Sequence, residues 1–446
     1  MESSQLVSCC VQVGDCPPLN DSSLEVPAAE APKEIEMSDS ESLLGSSEPS
    51  PRTPFVVYLY VCIAAFANLL FGYENSVVAS GVNDYFSSCP GSDTSASFLK
   101  GALALGATVA CPLAGFLQDG LGRRITLIIC CIVYIGVCIV TSTSPACSAA
   151  GFPQMATGRF LTGMVIGVFS STVPMYIAEL SPPSIRGALV TVNQVCICVG
   201  ILLGYISSTV LKGNWVAQFL AATPLSVLSL LAFVFVMPYS PRWLMSKGRQ
   251  EEALRVLEGI YGKDSPIANG EMESCREVCR LNEEFTAGGK SRLSLLLEPH
   301  ILWSVGIGVM GALMQQWVGV NAVNAYAPNI FMSAGRTSDE AHVDTIYIGV
   351  AKLVFVVVAL YLMDKAGRKP LLLIGCVGMV ASSTLLAASY SIADSSTKGR
   401  VAVASLVLYM AFFEISLGPI LWLLLSELYP VQVKGVAMSI GACVCW

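Results

Sequence analysis

Ten long apolar stretches confine this chain to a fold built inside a lipid bilayer. They begin near residues 55, 98, 125, 152, 187, 217, 301, 343, 370 and 400. Each approaches or exceeds the roughly 20 residues with which a helix crosses the hydrocarbon core. Because 54% of the residues are hydrophobic and only 13% are charged, the composition excludes a water-soluble globular domain. Helices satisfy their own backbone hydrogen bonds in lipid, so the pattern predicts an all-α membrane protein.

The last apolar stretch is shorter than a membrane span. Twelve residues, GVAMSIGACVCW, follow Lys434. A crossing helix needs roughly 20 residues. We therefore expect an eleventh helix that begins near Lys434 and is incomplete at Trp446.

An acidic tail precedes the first span. Residues 1–53 hold ten Asp or Glu against only Lys33 and Arg52. This composition predicts a disordered segment. With the tail in the cytosol, the loops on its side carry sixteen Lys or Arg and the opposite loops carry five. Since basic residues concentrate in cytosolic loops, we expect a cytosolic N-terminus.

A charged pattern occurs twice along the chain. GFLQDGLGRR is followed by AELSPPSIRG, and later YLMDKAGRKP is followed by SELYPVQVKG. Charges at matching positions recur at offsets of 245 to 248 residues: Asp119 with Asp364, Arg123 with Arg368, Glu179 with Glu427, and Arg186 with Lys434. Two patterns in the same order indicate duplicated halves.

The duplication divides the body of the chain and suggests a gate. It gives an N-terminal six-helix half (54–237), a cytosolic helical linker (238–300) and a C-terminal half (301–446). Acids and bases at the cytosolic ends of neighbouring helices can pair and hold those helices together. In a two-half transporter, such pairs change the balance between the two access states. Alternatively the basic residues only anchor loops, but the repeated Glu and Arg spacing favours gating.

These residues resemble the sugar porter family of the major facilitator superfamily over residues 55–446. The matching motifs are DGLGRR, GRFLTGMVIGV, PMYIAELSPPSIRG, SPRWLMSKGR, QQWVGVNAVNAY, DKAGRKP and GPILWLLLSELYP. The resemblance implies two six-helix halves, with helix 11 incomplete and helix 12 absent, and alternating access to one central sugar site. Two positions depart from the family pattern: Gly120 replaces a basic residue and Tyr239 replaces an acid.

Amides of the seventh span form the candidate sugar site. Sugar hydroxyls are bound by groups that both donate and accept hydrogen bonds, and the apolar faces of a sugar pack against aromatic rings. Four residues of QQWVGVNAVNAY are too polar to face lipid: Gln315, Gln316, Asn321 and Tyr326. The resemblance implies that the first three bind sugar, and it adds Gln194, Trp422 and Phe71. A lone amide would more often bond a neighbouring helix, but several amides in one family pattern favour a ligand site.

Glu74 is an acid inside the first span, where an ionised carboxylate is costly. It must pair or take up a proton. The resemblance places helices 1 and 4 side by side, so we expect Arg159 to be its partner. A guanidinium keeps its proton whereas a carboxyl group can gain one, and protonation of Glu74 would release Arg159. The alternative is a fixed ion pair that only specifies packing.

The resemblance also bears on the driving force. Proton-coupled sugar porters carry an acid at the position of Glu74, and facilitative uniporters commonly carry Asn. Lys352 matches a helix 8 lysine of several symporters. Ile201 instead matches the uniporters. Taken together, these residues favour proton symport.

The leading hypothesis is transport of a monosaccharide, foremost a hexose, by alternating access with proton symport. The alternatives are facilitative uniport of a hexose, myo-inositol or another polyol, a sugar sensor without net flux, and a truncated isoform that does not transport. The sequence contains no metal cluster, catalytic triad or nucleotide-binding loop, so it predicts no enzyme activity, cofactor or metal. The expected partners are a sugar, protons and the bilayer, without nucleic acid, and the oligomeric state is left open. We expect the plasma membrane as the location, with an endosomal or vacuolar membrane second.

Overall fold

Membrane-length helices account for most of the described chain. The computed structural model describes residues 54–88, 93–145, 148, 150–182, 185–263, 265–287, 298–429 and 434–446. Among these residues, ten helical segments are long and apolar enough to cross a membrane, which confirms the predicted number. Their starts lie close to the predicted positions. The acidic tail predicted for residues 1–53 lies outside the described residues.

The described helices are named here by the predicted division of the chain into two halves and a linker. The N-terminal half holds α1 Phe55–Ser88, α2 Asp93–Leu121, α3 Arg123–Ser142, α4 Gly151–Leu180, α5 Arg186–Val210, α6 Trp215–Leu220 and α7 Thr223–Phe235. The linker segment holds α8 Pro241–Ser246, α9 Gln250–Tyr261 and α10 Pro266–Ala287. The C-terminal half holds α11 Pro299–Trp317, α12 Val320–Ser333, α13 Ser338–Ala366, α14 Arg368–Ser389, α15 Ser395–Ile415, α16 Leu417–Leu428 and α17 Lys434–Val444. Three spans consist of two helices each: α6 with α7, α11 with α12, and α15 with α16.

Glycines let the helices of the N-terminal half approach each other closely. Gly200 of α5 lies against the backbone of Leu69 and Tyr73 in α1. Gly163 of α4 lies against the backbone of Leu103 in α2. Lipid supplies no hydrophobic driving force between helices, so close van der Waals packing of small residues holds them together. This packing brings α1 next to α4 as well as α5.

The linker helices cover one end of the bundle, which we call the linker end. Trp243 of α8 donates from Nε1 to the carbonyl oxygen of Asp119 (3.2 Å). Arg186 at the start of α5 pairs with Glu271 of α10 (3.0 Å). The linker segment is thus attached to the N-terminal half by polar contacts.

Two polar contacts join the halves at the end of the bundle away from the linker, which we call the far end. There Lys212 after α5 pairs with Asp339 of α13, and Asn83 Nδ2 of α1 donates to Asn329 Oδ1 of α12 (2.9 Å). The contacts join α1 to α12 and α5 to α13. Each is a polar contact between the halves.

Replacing Gly200 by Ala should separate α1 from α5. A Cβ at this position would lie 2.9 Å from the carbonyl carbon of Leu69 and 2.9 Å from the backbone nitrogen of Tyr73, so a backbone must shift. We expect a loss of about 1–3 kcal/mol, measured as a lower midpoint of thermal unfolding in detergent. Gly136→Ala is the control, because a Cβ at Gly136 meets nothing within 4 Å. Equal midpoints for the two variants would contradict this account.

Candidate functional site

A cavity of about 60 Å³ lies between the two halves. This volume is smaller than the roughly 300–1,000 Å³ that small-molecule sites usually occupy. Six of the seven residues that the sequence suggests for sugar binding line it: Phe71, Gln194, Gln315, Gln316, Asn321 and Trp422. Tyr326 is not among the lining residues, and its ring lies 4.2 Å from Lys100 Nζ instead.

Hydrogen-bonded amides form one wall of the cavity. Asn75 Nδ2 donates to Asn321 Oδ1 (3.1 Å), and Asn321 Nδ2 donates to Gln316 Oε1 (3.0 Å). Gln316 Nε2 donates to the carbonyl oxygen of Cys445. The series begins on α1 of the N-terminal half and ends beyond α17 of the C-terminal half. Each amide therefore fixes the orientation of the next.

Aromatic rings supply apolar wall area beside these amides. The ring centroids of Phe71 and Trp446 lie 5.0 Å apart with a 52° tilt. Trp446 is not among the predicted residues, and its Nε1 donates to Ser170 Oγ (3.3 Å). Phe413 and Trp422 line the cavity as well. Aromatic faces next to amides match a ligand with both hydroxyls and apolar faces.

Two spans are interrupted where they pass the cavity. Gly319 separates α11 from α12 with a φ of 81°, a conformation that glycine adopts without strain. Ser416 separates α15 from α16 with φ −120° and ψ −96°. Gln315 Nε2 donates to the carbonyl oxygen of Leu417 (2.8 Å) beside the second break. Irregular backbone at membrane depth is tolerated where it lines a cavity.

Glu74 and Arg159 form a buried ion pair within the N-terminal half. Each residue is only 1% exposed, and Arg159 Nη1 contacts Glu74 Oε2. Tyr134 of α3 donates to Glu74 Oε1 (2.6 Å). The guanidinium also lies 5.1 Å from the ring centroid of Phe219. The pairing that the sequence suggests is thus present, but neither residue is among those that line the cavity.

Lys352 and Glu414 form a second buried ion pair, in the C-terminal half. Lys352 Nζ lies 2.8 Å from Glu414 Oε1, and both side chains are buried. Lys352 lines the cavity. Gln194 of α5 donates from Nε2 to Glu414 Oε2 (3.3 Å), which connects this pair to the N-terminal half. Glu414 is not among the residues predicted from the sequence, although an acid deep in a span is itself a signal of function.

The predicted gating charges of the N-terminal half lie together at the linker end. Arg123 pairs with Glu179 (2.9 Å) and lies 3.7 Å from Asp119. Arg186 instead pairs with Glu271 of the linker segment, which also lies 3.7 Å from Arg242.

The matching charges of the C-terminal half are described only in part. Arg368 lines a second cavity, between α5 and the C-terminal half. The side chains of Asp364, Glu427 and Lys434 lie outside the described part of the chain. The predicted gate is therefore observable only for the N-terminal half.

Removing the charge of Glu74 should destabilise the N-terminal half. Glu74→Gln keeps the volume but leaves the Arg159 guanidinium buried without a counter-charge, a loss we expect to be about 3 kcal/mol. The measurement is the midpoint of unfolding in detergent. Glu251→Gln is the control, because it breaks the exposed pair with Arg255 (3.5 Å) and should leave the midpoint nearly unchanged. A midpoint for Glu74→Gln equal to that of the control would refute the expectation.

Comparison with known proteins places the chain in a family. The family model described as "Sugar (and other) transporter" matches residues 60–446. The chain is 32% identical to the D-xylose-proton symporter of Escherichia coli over 87% of its length and 83% of that protein. It is 31% identical to the glucose transporter GlcP of Staphylococcus epidermidis over 87% of its length and 84% of that protein.

A solved structure has the same fold. The proton:xylose symporter XylE bound to 6-bromo-6-deoxy-D-glucose superposes with a TM-score of 0.76 at 30% identity, over 89% of this chain and 87% of that one. That protein belongs to the major facilitator superfamily. The all-α fold predicted from the sequence is therefore confirmed. The chain is a multi-pass membrane protein that belongs to the sugar transporter family of the major facilitator superfamily.

Proposed function

We propose that this protein moves a monosaccharide, foremost a hexose, across a membrane by alternating access. The observation that carries the proposal is the cavity between the halves, lined by Gln194, Gln315, Gln316 and Asn321. These amides can meet hydroxyls that both donate and accept. The relatives named above transport xylose and glucose. A position between two halves is where rocking exposes a site to each side in turn.

Proton symport is the proposed driving force. Glu74 is the candidate proton carrier, because its carboxylate is buried against Arg159 and Tyr134 within one half. Protonation would cancel the charge that holds Arg159 and so change the packing of α1 against α4. Lys352 and Glu414 are a second candidate, since this pair reaches both the cavity and Gln194. The xylose symporters to which the chain is similar are proton-coupled by their names.

Facilitative uniport is the second candidate function. Ile201 lines the cavity as an apolar residue, and at this position the resemblance favours the uniporters.

For either function, the positive loops favour a cytosolic linker end. We propose the plasma membrane as the location.

Replacing Glu74 should abolish proton-driven sugar accumulation but not the exchange of sugar across the membrane. When the wild-type protein is reconstituted in vesicle membranes, the vesicles should accumulate labelled D-glucose or D-xylose if the outside solution is acidic. For one proton per sugar, the limit is about tenfold per pH unit. Glu74→Gln should lose accumulation but keep exchange of labelled for unlabelled sugar. Glu251→Gln in the exposed linker should behave as wild type. Wild-type uptake that ignores the pH gradient would exclude symport and leave uniport.

The tryptophan in the cavity wall should contribute to sugar affinity. Trp422→Ala removes an aromatic face from the cavity wall, so we expect the KM for sugar uptake to rise about two- to tenfold, equivalent to about 0.4–1.4 kcal/mol. Trp303→Ala is the matched control, because Trp303 is 74% exposed on the outside of α11. An unchanged KM for Trp422→Ala would show that Trp422 does not contribute to sugar binding.

A further inference from the structure

One asparagine pattern is repeated in the first and seventh spans. NSVVASGVN (75–83) in α1 and NAVNAYAPN (321–329) in α12 share Asn, Val, Ala and Asn at the same places, at a constant offset of 246 residues. The first and last residues of the two segments contact each other: Asn75 bonds Asn321, and Asn83 bonds Asn329. Because both contacts keep the same offset, α1 and α12 run parallel here. The two contacts are eight residues apart, which is about 12 Å along the helices.

Only the first of the two contacts lies at the cavity. Asn75 and Asn321 both line it. Asn83 and Asn329 lie at the far end, and their hydrogen bond is exposed. The same pair of side chains therefore occurs once beside the candidate ligand and once away from it. This provides an internal comparison between ligand binding and helix contact.

One acceptor position and one donor hydrogen of the Asn321 amide are already used within the protein. Its Oδ1 accepts from Asn75, and its Nδ2 donates to Gln316. Asn75 bonds Asn321 through its Nδ2, and its side chain is half-buried at the cavity wall. A sugar hydroxyl that approaches Asn321 Oδ1 can bond this oxygen beside Asn75, because an amide oxygen accepts two hydrogen bonds, or it can replace the bond from Asn75. A hydroxyl can do so, because it accepts from one amide and donates to another.

We propose that Asn75 is a sugar-binding residue that the N-terminal half supplies opposite Asn321. A hydroxyl placed between the two amides accepts from Asn75 Nδ2 and donates to Asn321 Oδ1. The direct contact between α1 and α12 is then replaced by a contact through the substrate. Asn75 thereby selects sugars that present a hydroxyl at this position. The inference rests on the proposed function, because it requires a sugar in the cavity.

The experiment combines changes in the protein with changes in the sugar. Purified wild type, Asn75→Ala, Asn75→Thr and Asn83→Ala are reconstituted in vesicles. The uptake of labelled D-glucose and D-xylose is measured, and each monodeoxy form of the better substrate competes with it. Thermal unfolding of each variant, with and without sugar, reports folding and binding independently of flux. Asn83→Ala is the matched control, since it removes the same kind of contact outside the cavity.

We expect Asn75→Ala to raise the KM about tenfold, equivalent to about 1.4 kcal/mol, and Asn75→Thr to raise it less. For one deoxy sugar, wild type and Asn75→Ala should bind equally, because the hydroxyl that Asn75 contacts is absent. Asn83→Ala should keep the wild-type order of sugars.

Three results would overturn the inference: an unchanged KM in Asn75→Ala, an equal loss for every deoxy sugar, or the same loss in Asn83→Ala. If Asn75→Ala does not fold, Asn75→Thr decides by the same comparisons. Absence of uptake and of sugar-induced stabilisation in wild type would refute the proposed function instead.

Discussion

Lipid offers no hydrogen-bond partner to a polar atom, and the interior of this protein follows from that constraint. Arg159 and Glu74 pair within the N-terminal half, and Lys352 and Glu414 pair within the C-terminal half. The amides around the cavity bond one another or bond carbonyl oxygens beside a helix break. Such groups are costly when unpaired. A ligand that enters must therefore replace each contact that it breaks, which favours hydroxyl-rich molecules over apolar ones.

Much of this arrangement could be predicted from the sequence. The ten spans follow from the length of their apolar stretches, because few other structures tolerate such stretches. The Glu74 partner could be named because charges deep in the spans are few and the family resemblance supplies the helix order. The cavity residues Gln315, Gln316 and Asn321 follow from polarity inside an apolar span. In each case the high free-energy cost of placing a polar group in lipid leaves few possible structures.

Other features depend on tertiary geometry that no local pattern contains. Tyr326 is polar and close to Asn321 in the chain, but five residues turn a helix by about 140° relative to the starting face, so its ring meets Lys100 instead. Arg186 pairs with Glu271, which the many charges of the linker segment do not single out. The pairing of Lys352 with Glu414 requires α13 and α15 to be neighbours. The contact of Asn75 with Asn321 could have been predicted from the 246-residue offset that both asparagine pairs share. A comparison of charged residues alone does not reveal it.

The two asparagine contacts between α1 and α12 also bear on the origin of the chain. A residue that touches its own counterpart at the same level is the mark of a two-fold, isologous interface, as in a symmetric homodimer. Here both partners belong to one polypeptide, 246 residues apart. The chain thus retains, as an internal contact, the interface that two separate copies of one ancestral unit would form. Away from these contacts the two halves differ: Glu74 stands in one half, and Val320 occupies the matching place in the other.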